Sequence, residues 1–241
     1  MPDLSQLGPP QRRAALERLS EEVFDVVVIG GGATGAGCAL DAVTRGLNVA
    51  LVEARDFAAG TSSRSSKLVH GGLRYLEQRD FGLVREALRE RGLLLNVLAP
   101  HLVTPVPFLL PLTEHWQRAY IGAGLALYDS LGGHEGLPRH RHLTRRGALK
   151  IAPALRKDAL VGAIQYYDAK VDDARHTLTV ARTAASMGAA VASNARVVGF
   201  LREGERVTGV RVRDALGGEE IDVQSREVVN APACGPTTSS T

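Results

Sequence analysis

Three glycines, Gly30, Gly32 and Gly35, stand in G-x-G-x-x-G spacing within the segment IGGGATGAG, and a carboxylate, Glu53, follows about 20 residues on. Glycines so placed let backbone N–H groups come close to a pyrophosphate, and the helix that opens behind them presents the positive end of its dipole to the same anion. A carboxylate at the end of the next strand accepts hydroxyl hydrogens from an adenosine ribose and repels a 2′-phosphate. The chemistry indicated is recognition of a dinucleotide. A second polar stretch follows, in which Ser62, Ser63, Ser65, Ser66 and Lys67 gather hydroxyl donors and a cation. That composition suits phosphate oxygens or the polar edge of a ring cofactor, and equally a serine-rich surface turn with helix caps.

The elements that must hold these groups are legible on either side of the glycines. Val26, Val27, Val28 and Ile29 form an unbroken β-branched run, which predicts a strand buried on both faces, as in a parallel sheet. A helix follows at once, with Cys38 as a small packing residue on it, and Asn48 to Glu53 reads as a second parallel strand. The setting of strand, glycine turn, helix and acid makes the motif specific, although it does not by itself separate NAD from FAD. Gly31 and Gly37, which extend the motif to GGGxxGxG, and its place early in the chain both lean towards FAD.

A net charge of +3 without a long basic run does not point to nucleic acid. Two cysteines give no disulfide framework and agree with a reducing compartment. Arg12 and Arg13 precede AALERLSEEV rather than an apolar stretch, so no secretory signal is read, and no apolar run reaches the roughly 18 residues of a membrane span. Residues 1 to 23, with Pro2, Pro9 and Pro10 and a short amphipathic pattern, read as a loosely held N-terminal extension. Only four of the 29 basic residues are lysine, which suggests a GC-rich genome.

Further on, apolar residues at three-and-four spacing predict a helix over 80–99, stopped by Pro100. LVTPVPFLLPL suits an edge strand, and a helix is expected over Tyr120 to Leu131. The basic cluster from Arg139 to Lys150 reads as a solvated face, with contact to lipid headgroups as the other reading. His140 and His142, two apart, lack a helical metal spacing, and no metal site is assigned. AIQYYD returns to strand, and a helix from Val171 to Met187 has Asp172 or Asp173 as its cap. From Ala189 to Asn230 the pattern is a parallel-type strand, an antiparallel meander and, in REVVNA, a separate return strand.

TSSRSSKLVHGGLRYLEQ (Thr61 to Gln78), taken with IGGGATGAG, VREALRER and VDDARHT, closely resembles the FAD-dependent, respiratory-type glycerol-3-phosphate dehydrogenases, N-terminal half only. The resemblance implies an α/β fold. Its core would be an FAD-binding Rossmann-like domain of the glutathione-reductase/p-hydroxybenzoate-hydroxylase type, with an antiparallel β-meander and part of a substrate domain. It implies oxidation of glycerol 3-phosphate at C2 to dihydroxyacetone phosphate, with FAD as cofactor and quinone as electron acceptor. The setting would be cytoplasmic, in peripheral contact with the inner face of the cell membrane. Carried over residue by residue, Gly30, Gly32 and Gly35 would face the FAD pyrophosphate and Glu53 the adenosine ribose. Thr61, Ser62, Ser66 and Lys67 would border the flavin and its phosphates, and Val197 the adenine. Arg74 would take the substrate phosphate with Tyr75 beside it, a role that the planar guanidinium fork suits better than lysine. Residues 24–89 and 162–231 would build the FAD domain and 90–161 the substrate domain, and no general base is assigned.

Two other readings stand at this point: a nucleotide-binding fragment without catalysis, and another flavin oxidase of the same fold, of the amino-acid-oxidase kind. After Asn230 and Ala231 the chain continues PACGPTTSST and the resemblance stops. Codons can be written for Ala231 to Thr241 that, read from the third base, restore A-G-L-W-T-D. Residues 232–241 are therefore expected to be a disordered, out-of-frame tail, and the chain a truncated copy that is inactive alone.

Overall fold

A computed structural model describes residues 4–72, 75–76, 78–132 and 137–232. The strands among them are, in chain order, β1 (Val23–Ile29), β2 (Val49–Val52), β3 (Leu68–Val69), β4 (Val103–Leu112), β5 (Arg141–Thr144), β6 (Gly162–Val171), β7 (Ala190–Ala192), β8 (Ala195–Glu203), β9 (Arg206–Asp214) and β10 (Glu220–Asn230). The chain forms two compact units, residues 1–65 with 173–241, and residues 66–172. Residues 66–89 and 162–172, assigned by resemblance to the nucleotide domain, therefore pack with 90–161 in this division.

The first unit is built on a six-stranded sheet of order β7-β2-β1-β10-β9-β8. Its β7, β2, β1 and β10 run parallel, as the unbroken apolar runs predict, and β10, β9 and β8 form the antiparallel meander. EEIDVQS and REVVNA are one strand rather than two. Residues 220–224 of β10 pair with β9, and residues 224–230 pair with β1 along with Val23 to Ile29. Neither glycine nor proline interrupts the sequence between them, and the strand changes partner without ending.

Alternation along β1 and β2 sends side chains to two covered faces. Val28, Val49 and Leu51 meet the helix Ala33–Thr44 and the helix Asp173–Ser186, whose Ala36, Ala39, Ala181, Ala184 and Ala185 allow close packing. Val27, Ala50 and Val52 face the other way, into a core with Val210, Val212 and Val223 of the meander and with Ala15 and Leu19 of the helix Pro9–Glu21. That helix corrects the expectation of a loose extension. Leu19 is fully buried, and Arg12 is bonded to Asp214, 202 residues away, a partner that no local pattern could reveal.

The second unit carries a sheet of order β3-β6-β4, with β5 also paired to β6. Ten residues of β4 pair antiparallel with β6. Pro105, Pro107 and Pro111 share one parity, so the N–H groups they lack lie on the side away from β6, as an edge strand requires. The helix Phe81–Leu93 is capped by Asp80, whose carboxylate accepts the Leu83 N–H at 3.1 Å, and runs into a π turn over Leu94–Leu98. The next helix spans His115–Leu131, beginning earlier than the periodicity indicated because Glu114 and Gln117 form a capping box. Part of the basic cluster is strand β5, and Thr144 caps the helix Arg145–Ile151 behind it.

Candidate functional site

The glycines of the turn divide their work. Gly30 has φ +107°, and a Cβ there would stand 2.5 Å from the Ala231 carbonyl oxygen. A Cβ on Gly35 would stand 1.9 Å from the Gly30 carbonyl oxygen, so these two permit the turn and the close fit of helix on strand. Gly32 differs. It is extended, with φ −82° and ψ −179°, and its Cβ would meet only the Ser62 hydroxyl oxygen at 3.1 Å. Backbone strain does not demand glycine at Gly32, while the space above it is what an approaching anion needs. The Ala33 N–H, at the start of the helix, donates to Ser62 Oγ at 2.9 Å, so a hydroxyl already sits at the anion-attracting end.

Glu53 closes the other side. Its Oε2 accepts the Gly31 N–H at 2.6 Å and its Oε1 accepts the Arg55 N–H at 2.8 Å. Each carboxylate oxygen can accept a further hydrogen, so the group both pins the glycine turn and keeps capacity for ribose hydroxyls. Gly31, which the motif spacing does not require, is needed for this arrangement. A Cβ there would lie 2.7 Å from the Phe57 ring and 2.8 Å from Glu53 Cβ. Thr61 and Ser62 lie in a 3-10 turn, Thr61–Ser63, Thr61 exposed and Ser62 half-buried. Val197, on β8, is half-buried against the core on the meander side of the sheet. The structure thus brings Gly30, Gly32, Gly35, Glu53 and Ser62 together in the first unit.

Ser66 and Lys67 fall in the second unit and are exposed there; Lys67 has φ +59°, and its carbonyl accepts the Val171 N–H at 3.0 Å. Arg74 lies outside the described residues. Tyr75 packs with Val84, Leu88 and Tyr128, and Gly71 and Gly72 have clear physical demands. Gly72 has φ +71°, and a Cβ on Gly71 would meet Leu88 Cδ2 at 2.2 Å and the Tyr128 hydroxyl at 2.3 Å. Gly71→Ala should therefore cost about 1–3 kcal/mol through overpacking, read as a lowered Tm in a thermal melt. An unchanged Tm would show that the close fit does not matter.

Behind Gly71 lies a buried polar cluster that the sequence did not disclose. Arg91 Nη1 donates to Asp168 Oδ1 at 3.0 Å and to the Tyr128 hydroxyl at 3.3 Å, and both members of the ion pair have side chains 6% exposed. Burial, followed by the Asp168 charge, pushes the Tyr128 phenol above its usual range, so it stays neutral and able to donate to Asp168. The signal available in the sequence was weak: an arginine on the apolar stripe of a helix and an aspartate in the middle of a strand.

A parallel sheet feeding a glycine turn at a helix N-terminus, with a carboxylate at the end of the neighbouring strand, defines a dinucleotide-binding protein of the doubly wound class. Residues 25–238 match the family described as FAD dependent oxidoreductase, and the chain belongs to that family. It is 64% identical over 228 residues to a glycerol-3-phosphate dehydrogenase of Mycobacterium leprae (strain TN), across 94% of this chain and 39% of that protein. Among solved structures, glycerol-3-phosphate dehydrogenase from Bacillus halodurans complexed with FAD is similar with a TM-score of 0.69 and 34% identity, covering 92% of this chain and 36% of that one. Glycine oxidase from Bacillus cereus ATCC 14579 has a TM-score of 0.63 at 22% identity, covering 87% of this chain and 56% of that one, a likeness of fold alone. The chain thus spans well under half the length of the glycerol-3-phosphate dehydrogenases it resembles.

Proposed function

We propose that this chain supplies the FAD-binding part of a glycerol-3-phosphate dehydrogenase. The observation that carries the reading is the 64% identity to the mycobacterial enzyme across 94% of this chain. The surroundings of Gly32, where only the Ser62 hydroxyl stands near, beside a helix N-terminus and a carboxylate with spare acceptor capacity, support a fit to the pyrophosphate and adenosine ribose of FAD. FAD held there would supply the acceptor for the hydride that leaves C2 of glycerol 3-phosphate. The chain's own residues have the work of binding. Gly32 and the Ala33 N–H receive the pyrophosphate, Glu53 takes the ribose hydroxyls, and Ser62 gives way or turns its hydroxyl to a phosphate oxygen. Thr61, Ser66 and Lys67 border the rest of the cofactor, and Val197 the adenine.

Arg74 and Tyr75 hold the substrate phosphate in this reading. Arg74→Lys, introduced at this position of the complete enzyme, should raise KM for glycerol 3-phosphate about tenfold or more and leave flavin content unchanged. Lysine keeps the point charge but not the two-pronged geometry. Loss of flavin at constant KM would move Arg74 to the cofactor, and no change in either would remove it from the site.

No helix among the described residues is long and apolar enough to cross a membrane. Peripheral contact with the inner face of the cell membrane, where quinone would take the electrons, is supported by the helix His115–Leu131. Trp116, Tyr120 and Leu127 are 60%, 66% and 41% exposed along one of its faces, with Trp116 and Tyr120 at i, i+4. Aromatic rings of this kind settle at a lipid headgroup boundary.

A further inference from the structure

We infer that Arg12, on the N-terminal helix, is a positioning residue for the Glu53 carboxylate and so for the adenosine end of the cofactor. The inference rests on the proposed contact between Glu53 and ribose. The backbone at the end of β2 is tethered on one side by a single short segment. The Glu53 N–H donates to the Ala192 carbonyl at 2.9 Å, the Ala195 N–H to the Glu53 carbonyl at 2.8 Å, and the Asn194 N–H to the Arg55 carbonyl at 2.8 Å. Wherever residues 192–195 go, the Glu53 backbone follows.

That segment is a tight turn with Asn194 at φ +53°, a left-handed conformation that asparagine adopts more readily than most residues. Arg12 holds it. Its Nε donates to the Ser193 carbonyl at 2.8 Å and its Nη2 to the Asn194 carbonyl at 3.3 Å, while the same guanidinium pairs with the Asp214 carboxylate. Asp214 belongs to the meander, pairs with Ala195 across β8 and β9, and receives the Leu216 N–H at 2.9 Å; the Ala215 N–H donates to the Asn194 carbonyl at 2.8 Å. One planar fork therefore joins the N-terminal helix, the turn after β7 and the end of β9, with side chains only 15% and 12% exposed in the ion pair. The Arg12 hydrogen bond holds the Asp214 carboxyl below its usual range, in keeping with a paired, charged acceptor. A lysine could reach one of these three acceptors but not all of them.

The alternative is that Arg12 merely docks its helix. A double-mutant cycle on FAD affinity separates the two, using the purified full chain with Arg12→Lys, Glu53→Gln and the pair. Fluorescence quenching of added FAD gives Kd, and a thermal melt of each variant reports folding separately. Arg12→Lys should raise Kd about tenfold, and in the Glu53→Gln background it should add little, because the two act through one contact. Factors that multiply in the double variant, or an Arg12→Lys that lowers Tm with Kd unchanged, would overturn the positioning role. A Kd unaltered by Glu53→Gln would instead sink the ribose assignment itself, whatever Arg12 does.

Discussion

Gly32→Val should leave the chain folded and weaken FAD by at least about two orders of magnitude, since two charge-assisted hydrogen bonds of roughly 1.5–3 kcal/mol each are denied to the pyrophosphate. Gly32 has ordinary extended dihedrals, and only the Ser62 hydroxyl lies near its missing Cβ, so the fold can absorb valine by a shift of Ser62. The branched side chain then fills the space above the helix N-terminus. Gly35 provides the contrast. Any side chain there strikes the Gly30 carbonyl at 1.9 Å, so Gly35→Ala should damage the turn and stability as well as binding. Circular dichroism and flavin titration on both variants check the distinction. Full FAD affinity in folded Gly32→Val would remove the pyrophosphate from this turn.

Asp168→Ala should cost about 3–5 kcal/mol of unfolding free energy, the usual result of leaving one member of a buried ion pair without its partner. Arg91 and Asp168 sit in the core of the second unit, and among the described residues Arg91 Nε has no hydrogen-bond acceptor, so the arginine depends on Asp168 and the Tyr128 hydroxyl. Replacing both at once, Arg91→Met with Asp168→Leu, should recover most of the loss, because an apolar pair of similar volume needs no desolvation to be repaid. Urea unfolding of the two variants beside the unaltered chain provides the comparison. A cost below about 1 kcal/mol for Asp168→Ala would mean that water reaches the pair and that its burial is nominal.

What could be read from the chain and what could not divides by sequence separation. The turn at Gly30, Gly32 and Gly35, its two strands and Glu53 fall within one short stretch, and their periodicity and spacing are local properties. The edge position of β4 was legible for the same reason, since its prolines announce which side lacks donors. Contacts that join distant segments left no local mark. Arg12 reads as one of two arginines on a solvated helix, yet it grips a turn and a carboxylate some 180 to 200 residues away. β10 is one strand whose sheet partner changes at Gln224, and that partner is invisible in the strand's own sequence. The role of Gly31 was hidden too, because it depends on where the Glu53 side chain turns back.

The central claim, that the turn and Glu53 form an FAD site, is tested most directly by titrating the purified chain with FAD and following flavin fluorescence and visible absorbance, with FMN and NAD in parallel. The account predicts saturable, equimolar binding of FAD and much weaker binding of FMN, which lacks the adenosine half that Glu53 would recognise. A folded chain that binds no FAD, or that binds FMN as tightly as FAD, would contradict it.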